Sequence, residues 1–151
     1  MFPQYSTTTT LSILELIKSI IKRDKSFFKN TRISAVKDFH NNDLYIKSCA
    51  EKIKTTQQRL GKPDKLLFSF HGIPQSYVCK DEPYQSQCLL TASLIAKELN
   101  LDKSHYEVAF QSRFGKAEWI KPYLSSRLEE LPKEGIQNIH VFCPGFSLSL
   151  I

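Results

Sequence analysis

The stretch Lys65-Leu-Leu-Phe-Ser-Phe-His71-Gly72-Ile73-Pro74 decides the fold of this chain. Its first part is apolar apart from one serine, which is typical of a strand buried on both faces of a parallel sheet. Gly72 lets the backbone turn and Pro74 stiffens the exit. Because ligands bind beyond the carboxyl ends of parallel strands, His71 lies where such a fold keeps its chemistry. From the spacing alone, a structural histidine held by hydrogen bonds is an equally good interpretation.

Helical and strand-like patterns alternate on both sides of this stretch. Apolar residues recur at helical spacing in four segments, 11–21, 44–60, 85–99 and 122–131. Strand-like runs occupy 30–36, 106–110 and 139–143. The strand midpoints are separated by roughly 32 to 40 residues, an interval typical of βαβ units with right-handed crossovers. The sequence therefore predicts an α/β fold in which helices flank a four-stranded parallel sheet.

Capping residues and apolar positions define these helices. The hydroxyls of Thr7 to Thr10 are suited to cap the first helix, and Asn41 or Asn42 the second, which ends at Gly61. Pro122 is suited to the first turn of the fourth helix. The first helix is amphipathic and needs a sheet to lie against. In the second and third helices we expect these residues to face inward: Leu44, Ile46, Ala50, Ile53, Leu89, Ala92, Leu94, Ile95 and Leu99.

The composition excludes several classes of function. Lysine and arginine number 21 against 15 acidic residues, giving a net charge of +6, but no nucleic-acid-binding motif accompanies this excess. We therefore expect no nucleic-acid partner, and a solvated basic face that favours an acidic substrate. None of Cys49, Cys79, Cys88 and Cys143 forms a Cys-x-x-Cys pair, so neither zinc nor thioredoxin chemistry is indicated. Without a membrane-spanning run or a signal peptide, we expect a cytoplasmic protein.

Five motifs follow one another along the chain. They are Phe2-Pro-Gln-Tyr-Ser6, His71-Gly-Ile-Pro74, Asp81-Glu-Pro-Tyr84, Phe110-Gln-Ser-Arg-Phe-Gly115 with Trp119 and Lys121-Pro-Tyr123, and Val141-Phe-Cys-Pro-Gly-Phe146. In this order and at these spacings they resemble the ferrochelatases of bacteria, from Met1 to about Ser147. The resemblance implies a Rossmann-like chelatase fold. It also implies an enzyme of heme biosynthesis, a lyase that inserts ferrous iron into a free-base porphyrin.

The resemblance assigns roles to two residues around the strand end. His71 matches the active-site histidine of the family, either as a metal ligand or as a proton acceptor, and the sequence leaves both roles open. Trp119 matches an aromatic residue at the lip of the porphyrin cleft. A loop anchor that covers the sheet edge is an equally good interpretation of Trp119.

The resemblance also implicates Tyr5 and Arg113 in substrate binding. Tyr5 belongs to a crossover segment that faces the porphyrin in the family, and it is expected to face water if the rest of the cleft is absent. Arg113 is placed to contact substrate, with an ion pair to Glu118 or Glu107 as the alternative. The remaining histidines are expected at the surface: His40, His105 and His140.

The resemblance is incomplete at both ends. Residues 1–28 match a crossover segment and helix of a first Rossmann-like half, and residues 29–151 match a second half that stops before its C-terminal acidic helix. We therefore expect exposed apolar faces, and no activity from this chain alone, because part of the substrate cleft is missing. The alternative is a non-catalytic remnant or a module that binds porphyrin or metal weakly.

The resemblance also bears on cofactors and partners. It implies porphyrin and ferrous iron as substrates and no resident cofactor. The four cysteines do not map onto the iron–sulfur cluster pattern of some ferrochelatases, so we expect no cluster. Two further partners stay open, namely a membrane surface contacted peripherally and a second polypeptide that supplies the missing half.

Overall fold

The computed structural model describes residues 3–78 and 82–146, which form an α/β fold. Its strands are β1 (Lys65–His71), β2 (Tyr106–Gln111) and β3 (Ile139–Phe142). They build an all-parallel sheet in the order β2-β1-β3. The helices are α1 (Ser12–Arg23), α2 (Asp43–Leu60), α3 (Tyr84–Glu98) and α4 (Leu124–Glu130). The predicted fold class, with helices flanking a parallel sheet in a Rossmann-like arrangement, is confirmed.

The prediction of a fourth strand at 30–36 is wrong. Residues 31–37 form no strand and are exposed, with Ile33 and Val36 at 44% and 60% of their accessible surface. Their β-branched residues favour an extended backbone, but a strand also needs a neighbour with which to exchange hydrogen bonds. This segment pairs with none of the three described strands. The sheet of the described residues therefore has three strands.

Strand β1 forms the centre of the hydrophobic core. All five residues from Leu66 to Phe70 are buried, and the strand pairs with β2 on one side and with β3 on the other. Helices α2 and α3 cover it with the buried side chains of Ile46, Ala50, Ile53, Cys88, Ala92 and Ile95. Leu94 and Leu99 are half-buried and pack against the same core. The apolar face predicted for each helix is therefore largely confirmed.

Two leucines predicted to face inward are exposed instead. Leu44 is 78% exposed and Leu89 is 49% exposed. The buried stripe of α3 follows Cys88, Thr91, Ala92 and Ile95, and Leu89 lies one residue, about 100°, away from it. Leu44 likewise lies beside the buried stripe of α2, which follows Ile46, Cys49, Ala50 and Ile53.

The start of the chain differs from the prediction. Ser6, rather than a threonine, caps the π-helical turn Thr7–Leu11 that leads into α1, and its Oγ accepts from the backbone N–H of Thr8 at 3.3 Å. Helix α1 has no buried residue, and Ile13 and Leu16 are more than half exposed. No described strand lies against it, so its predicted support is not found. The prediction that this apolar face stays exposed is confirmed.

The other helix ends are set by local hydrogen bonds. Asn42 caps α2, its Oδ1 accepting from Leu44 N and Tyr45 N, and Gly61 ends the helix at φ 87°. Both boundaries agree with the sequence prediction. Helix α4 begins at Leu124 rather than at Pro122. The carbonyl of Pro122 accepts from Phe110 N at 2.8 Å, so this proline extends a loop along β2 before the helix starts.

Within the described ranges, no helix combines the length and the apolar character needed to cross a membrane.

We predict that Phe68→Ala lowers the free energy of unfolding by about 3–5 kcal/mol, because Phe68 is fully buried at the centre of β1 and its loss leaves a cavity. The matched control is Phe27→Ala, which removes a phenylalanine that is 80% exposed and changes stability by less than about 0.5 kcal/mol. Urea unfolding followed by circular dichroism measures both. Equal losses from the two variants would contradict the assignment of β1 as the core strand.

Candidate active site

The loops that follow the three strands emerge at one edge of the sheet. His71 at the end of β1 is in register with Gln111 at the end of β2, and Phe68 is in register with Phe142 of β3. Because the strands are parallel, the loops that carry the motifs converge at this edge. The loops after β1 and β2 also pair with each other, since Gln75 N donates to the carbonyl of Glu118 at 2.8 Å.

Gly72 is required by the space available rather than by its dihedral angles. Its N–H donates to Gln111 O at 2.8 Å, so the chain passes close to the end of β2. A Cβ at this position would lie 3.0 Å from Trp119 Cε3 and 3.1 Å from Gln111 O. A side chain at position 72 would therefore displace the indole or the backbone of β2.

The imidazole of His71 is exposed at this edge and hydrogen-bonded through one nitrogen. His71 Nδ1 lies 2.6 Å from Gly72 O. Because a carbonyl oxygen only accepts, this contact requires a proton on Nδ1. In the neutral ring, Nε2 then carries the lone pair, and that atom is free to accept a proton or to ligate a metal ion. The geometry fits both roles that the sequence leaves open for His71.

Trp119 packs beside His71 and closes the turn. It is 5% exposed, its ring centroid is 6.1 Å from that of His71, and Phe114 contacts it edge-on at 5.3 Å. Its indole N–H has no hydrogen-bond acceptor among the described residues, so packing alone holds the ring there. This burial supports the interpretation of Trp119 as a loop anchor, and a contact with substrate stays a prediction.

Tyr84 and Glu82 connect this turn to the start of the chain. The hydroxyl of Tyr84 donates to His71 O at 2.7 Å, and burial raises the pKa of Tyr84, which keeps that proton in place. Glu82 is buried and accepts from Tyr84 N, from Ser6 Oγ and from both the N–H and the hydroxyl of Thr7. Both residues belong to the motif Asp81-Glu-Pro-Tyr84, for which the sequence alone predicts no role.

Tyr5 is buried, contrary to the expectation that it faces water. It is 7% exposed, its backbone N–H donates to Gln87 Oε1 at 2.6 Å, and Lys37 Nζ lies 4.2 Å from its ring centroid. The expectation failed because the crossover segment packs against α3 within this chain. The role of Tyr5 in substrate binding stays a prediction.

Arg113 is exposed on the loop after β2, where its guanidinium carbon lies 4.8 Å from the ring centroid of Tyr123. Neither predicted ion pair forms. Glu118 pairs with Lys121 at 2.8 Å, and their hydrogen bond lowers the pKa of Glu118. Glu107 is instead bound by Arg127, as is expected of a carboxylate at a bidentate arginine site. Arg113 is therefore available at the rim, and its contact with substrate stays a prediction.

The other histidines lie away from this edge. His105 is exposed, as predicted. His40 is half-buried and its Nδ1 lies 2.8 Å from Asp38 Oδ1, so its prediction as a surface residue is wrong. His140 is also half-buried, so the same prediction is wrong for it. It lines a cavity of about 430 Å³ between α2 and β3, which does not include His71.

The cysteines form no site in the part of the chain that the structure describes. Cys49 and Cys88 are buried free thiols, and burial raises the pKa of Cys49 to about 11 and that of Cys88 further. Cys143 is half-buried and its pKa is also raised by burial. Cys79 lies outside the described residues. No group of three metal-ligating side chains occurs in 3–78 or 82–146.

The sequence of this chain is similar to that of a known protein family. The sequence model of the Ferrochelatase family matches residues 1–149, nearly the whole chain. The chain belongs to the ferrochelatase family. This membership confirms the resemblance carried by the five motifs, although Phe2 of the first motif and Asp81 of the third lie outside the described residues.

Individual ferrochelatases match the chain over almost its full length. That of Janthinobacterium sp. (strain Marseille) is 42% identical over 146 residues, which cover 97% of this chain and 39% of the relative. Those of Acinetobacter baumannii (strain ACICU) and Psychrobacter sp. (strain PRwf-1) are 39% and 42% identical over 147 residues, covering 43% and 42% of those relatives. The chain thus spans about two fifths of the length of these ferrochelatases.

We predict that Gly72→Ala lowers the free energy of unfolding by about 1–3 kcal/mol, because the added methyl group overpacks the turn against Trp119. The matched control is Gly145→Ala, whose Cβ would make ordinary contacts at 3.7 and 3.8 Å with Gln4 and Phe70. Trp119 is the sole tryptophan, so its fluorescence reports the change. A red-shifted emission is expected for Gly72→Ala and not for Gly145→Ala, and the reverse would contradict the described turn.

Proposed function

We propose that the protein inserts ferrous iron into a free-base porphyrin, and that this chain supplies the part of the site that carries the histidine. One observation carries the proposal: His71 is exposed at the carboxyl end of β1, and its Nδ1 lies 2.6 Å from Gly72 O, a contact that leaves the lone pair of the neutral ring on Nε2. Family membership supports it independently, since each of the relatives described above is named a ferrochelatase.

Iron insertion requires two operations that a neutral imidazole is able to perform. The ferrous ion must exchange water for ligands, and nitrogen donors suit this ion. The two central pyrrole protons of the porphyrin must also leave, and a neutral imidazole accepts a proton near physiological pH. The Nε2 lone pair of His71 serves either operation. In both cases the hydrogen bond from Nδ1 to Gly72 O fixes which nitrogen faces the substrate.

Charge and aromatic groups at the same edge support porphyrin as the substrate. Porphyrin propionates are acidic, and the chain carries a net charge of +6, which favours their approach. Arg113 lies exposed on the loop after β2 and is placed to bind a carboxylate. Trp119 and Phe114 form an aromatic wall next to His71. We propose that Arg113 and Trp119 contribute to porphyrin binding, and Tyr5 through the crossover segment.

We further propose that the protein works in the cytoplasm. We also propose that the other three fifths of a ferrochelatase complete the cleft, either in the same polypeptide or in a second one. The buried free thiols of Cys49 and Cys88 fit a reducing compartment. The exposed apolar face of α1, at Ile13 and Leu16, offers a surface for the remainder of the protein or for a peripheral membrane contact.

The proposal is tested in a chimera in which residues 3–146 replace the matching region of the Janthinobacterium ferrochelatase. We predict that the chimera inserts iron into a free-base porphyrin under anaerobic conditions. His71→Ala should lower the rate at least about 100-fold, the usual effect of losing a general acid–base group. His105→Ala, which removes an exposed histidine far from the rim, should leave the rate unchanged.

The controls separate the alternatives. Circular dichroism establishes that His71→Ala folds, so that a loss of rate is a loss of chemistry. More than a tenth of the activity retained by folded His71→Ala would contradict the role of His71. Quenching of Trp119 fluorescence by a free-base porphyrin, without insertion even by the chimera, would favour the porphyrin-binding module. The chain by itself should show insertion only at background.

A further inference from the structure

The backbone of His71 is held by a side chain that belongs to a different motif. Tyr84, the first residue of α3, is buried and donates its hydroxyl proton to His71 O at 2.7 Å. The N–H of the same peptide group belongs to Gly72 and donates to Gln111 O at 2.8 Å. Both polar ends of the peptide between His71 and Gly72 are thus bound by other elements.

The orientation of this peptide determines where the imidazole lies. Gly72 O, one peptide further on, accepts from His71 Nδ1 at 2.6 Å. If the peptide plane turns, Gly72 O moves away from Nδ1 and the ring loses the contact that keeps its proton there. A neutral histidine with no such contact populates both tautomers, and Nε2 is then protonated for part of the time. A protonated Nε2 neither ligates iron nor accepts a proton.

Tyr84 is itself anchored at its backbone. Its N–H donates to Glu82 Oε1 at 3.2 Å, while the other carboxylate oxygen accepts from the N–H of Thr7 at 2.8 Å. Glu82 is buried, so these bonds form away from competing water. The hydroxyl of Tyr84 therefore extends from a fixed point on α3 to a fixed point at the end of β1.

We propose that Tyr84 is a positioning residue for His71: its hydroxyl holds the His71–Gly72 peptide so that Nδ1 keeps the ring proton and Nε2 faces the substrate. This inference rests on the proposed function for its consequence in iron insertion. Its structural content, the tautomer of His71, is independent of any turnover.

The test reads the ring nitrogens of His71 by ¹⁵N NMR on the 151-residue chain at a pH where the imidazole is neutral. In the wild-type chain, Nδ1 should be protonated and Nε2 unprotonated, with well-separated chemical shifts. In Tyr84→Phe the two shifts should converge, because the tautomers mix. The matched control is Tyr45→Phe, which loses a hydrogen bond of the same kind, from a half-buried tyrosine to Pro144 O at 2.7 Å, and should leave His71 unchanged.

Two results would overturn the proposal. One is a wild-type His71 with its proton on Nε2, which needs no variant to observe. The other is a folded Tyr84→Phe chain with the ring nitrogen shifts of the wild type. If Tyr84→Phe does not fold, Glu82→Ala replaces it, since alanine removes both carboxylate oxygens, which anchor Tyr84 and Thr7. Converging shifts support the proposal, and unchanged shifts overturn it.

A second readout links the tautomer to iron. Ferrous iron, added anaerobically, should broaden the Nε2 signal of the wild-type chain. Tyr84→Phe should need about tenfold more iron for the same broadening, the usual effect of losing a residue that orients a ligand. Equal iron requirements in the two chains would overturn the consequence for metal binding. Broadening in neither chain, with the expected tautomers, would count against iron ligation by His71 in the proposed function while leaving the positioning role standing.

Discussion

The peptide that joins His71 to Gly72 is held by three separate parts of the chain. Its carbonyl accepts from Tyr84 at the start of α3, its N–H donates to Gln111 at the end of β2, and Trp119 closes the space beside its glycine. A single net hydrogen bond stabilises a protein by only about 0.5–1.5 kcal/mol. Together, however, these contacts leave the peptide one orientation, and the position of the imidazole follows from it.

The turn at His71 is supported by a well-packed strand. Strand β1 is buried from Leu66 to Phe70 and pairs on both sides, so a shift in its register would break two ladders and move apolar side chains out of the core. The exposed histidine is the first residue beyond that buried run. Catalytic groups are commonly carried this way, on a short loop at the end of a well-packed element. The same stretch of sequence thus accounts for both the stability of the sheet and the placement of His71.

What the sequence predicted depends on the range over which each signal acts. The run Leu66 to Phe70 and the apolar periods of α2 and α3 are local patterns that also match the packing, and they were predicted correctly. The strand at 30–36 was wrong because a strand depends on a partner elsewhere in the chain. The prediction that Leu44 and Leu89 face inward was wrong. The apolar periodicity of α2 and α3 was extended to residues that lie beside the buried stripe of each helix.

The same distinction between local and long-range signals applies to the residues of the candidate site. The position of His71 at the exposed end of β1 was predicted because the end of a buried parallel strand is a local feature, whereas its role in chemistry stays a prediction. The contacts of Tyr84 with His71 and of Glu82 with Thr7 join residues 13 and 75 positions apart, and no periodic pattern announces them. The burial of Tyr5 was missed for this reason too, since it depends on packing against α3. Family motifs pointed to these segments without stating what the side chains do there.

The turn after β1 holds the imidazole of His71 and the indole of Trp119 side by side at the rim of the sheet. Nuclear Overhauser effects between the ring protons of His71 and Trp119 in the isolated chain test this claim most directly. With ring centroids 6.1 Å apart, cross-peaks between the two rings are expected. A folded chain in which the two rings show no cross-peaks, and in which His71 shows them to core residues of α2 instead, would contradict the account.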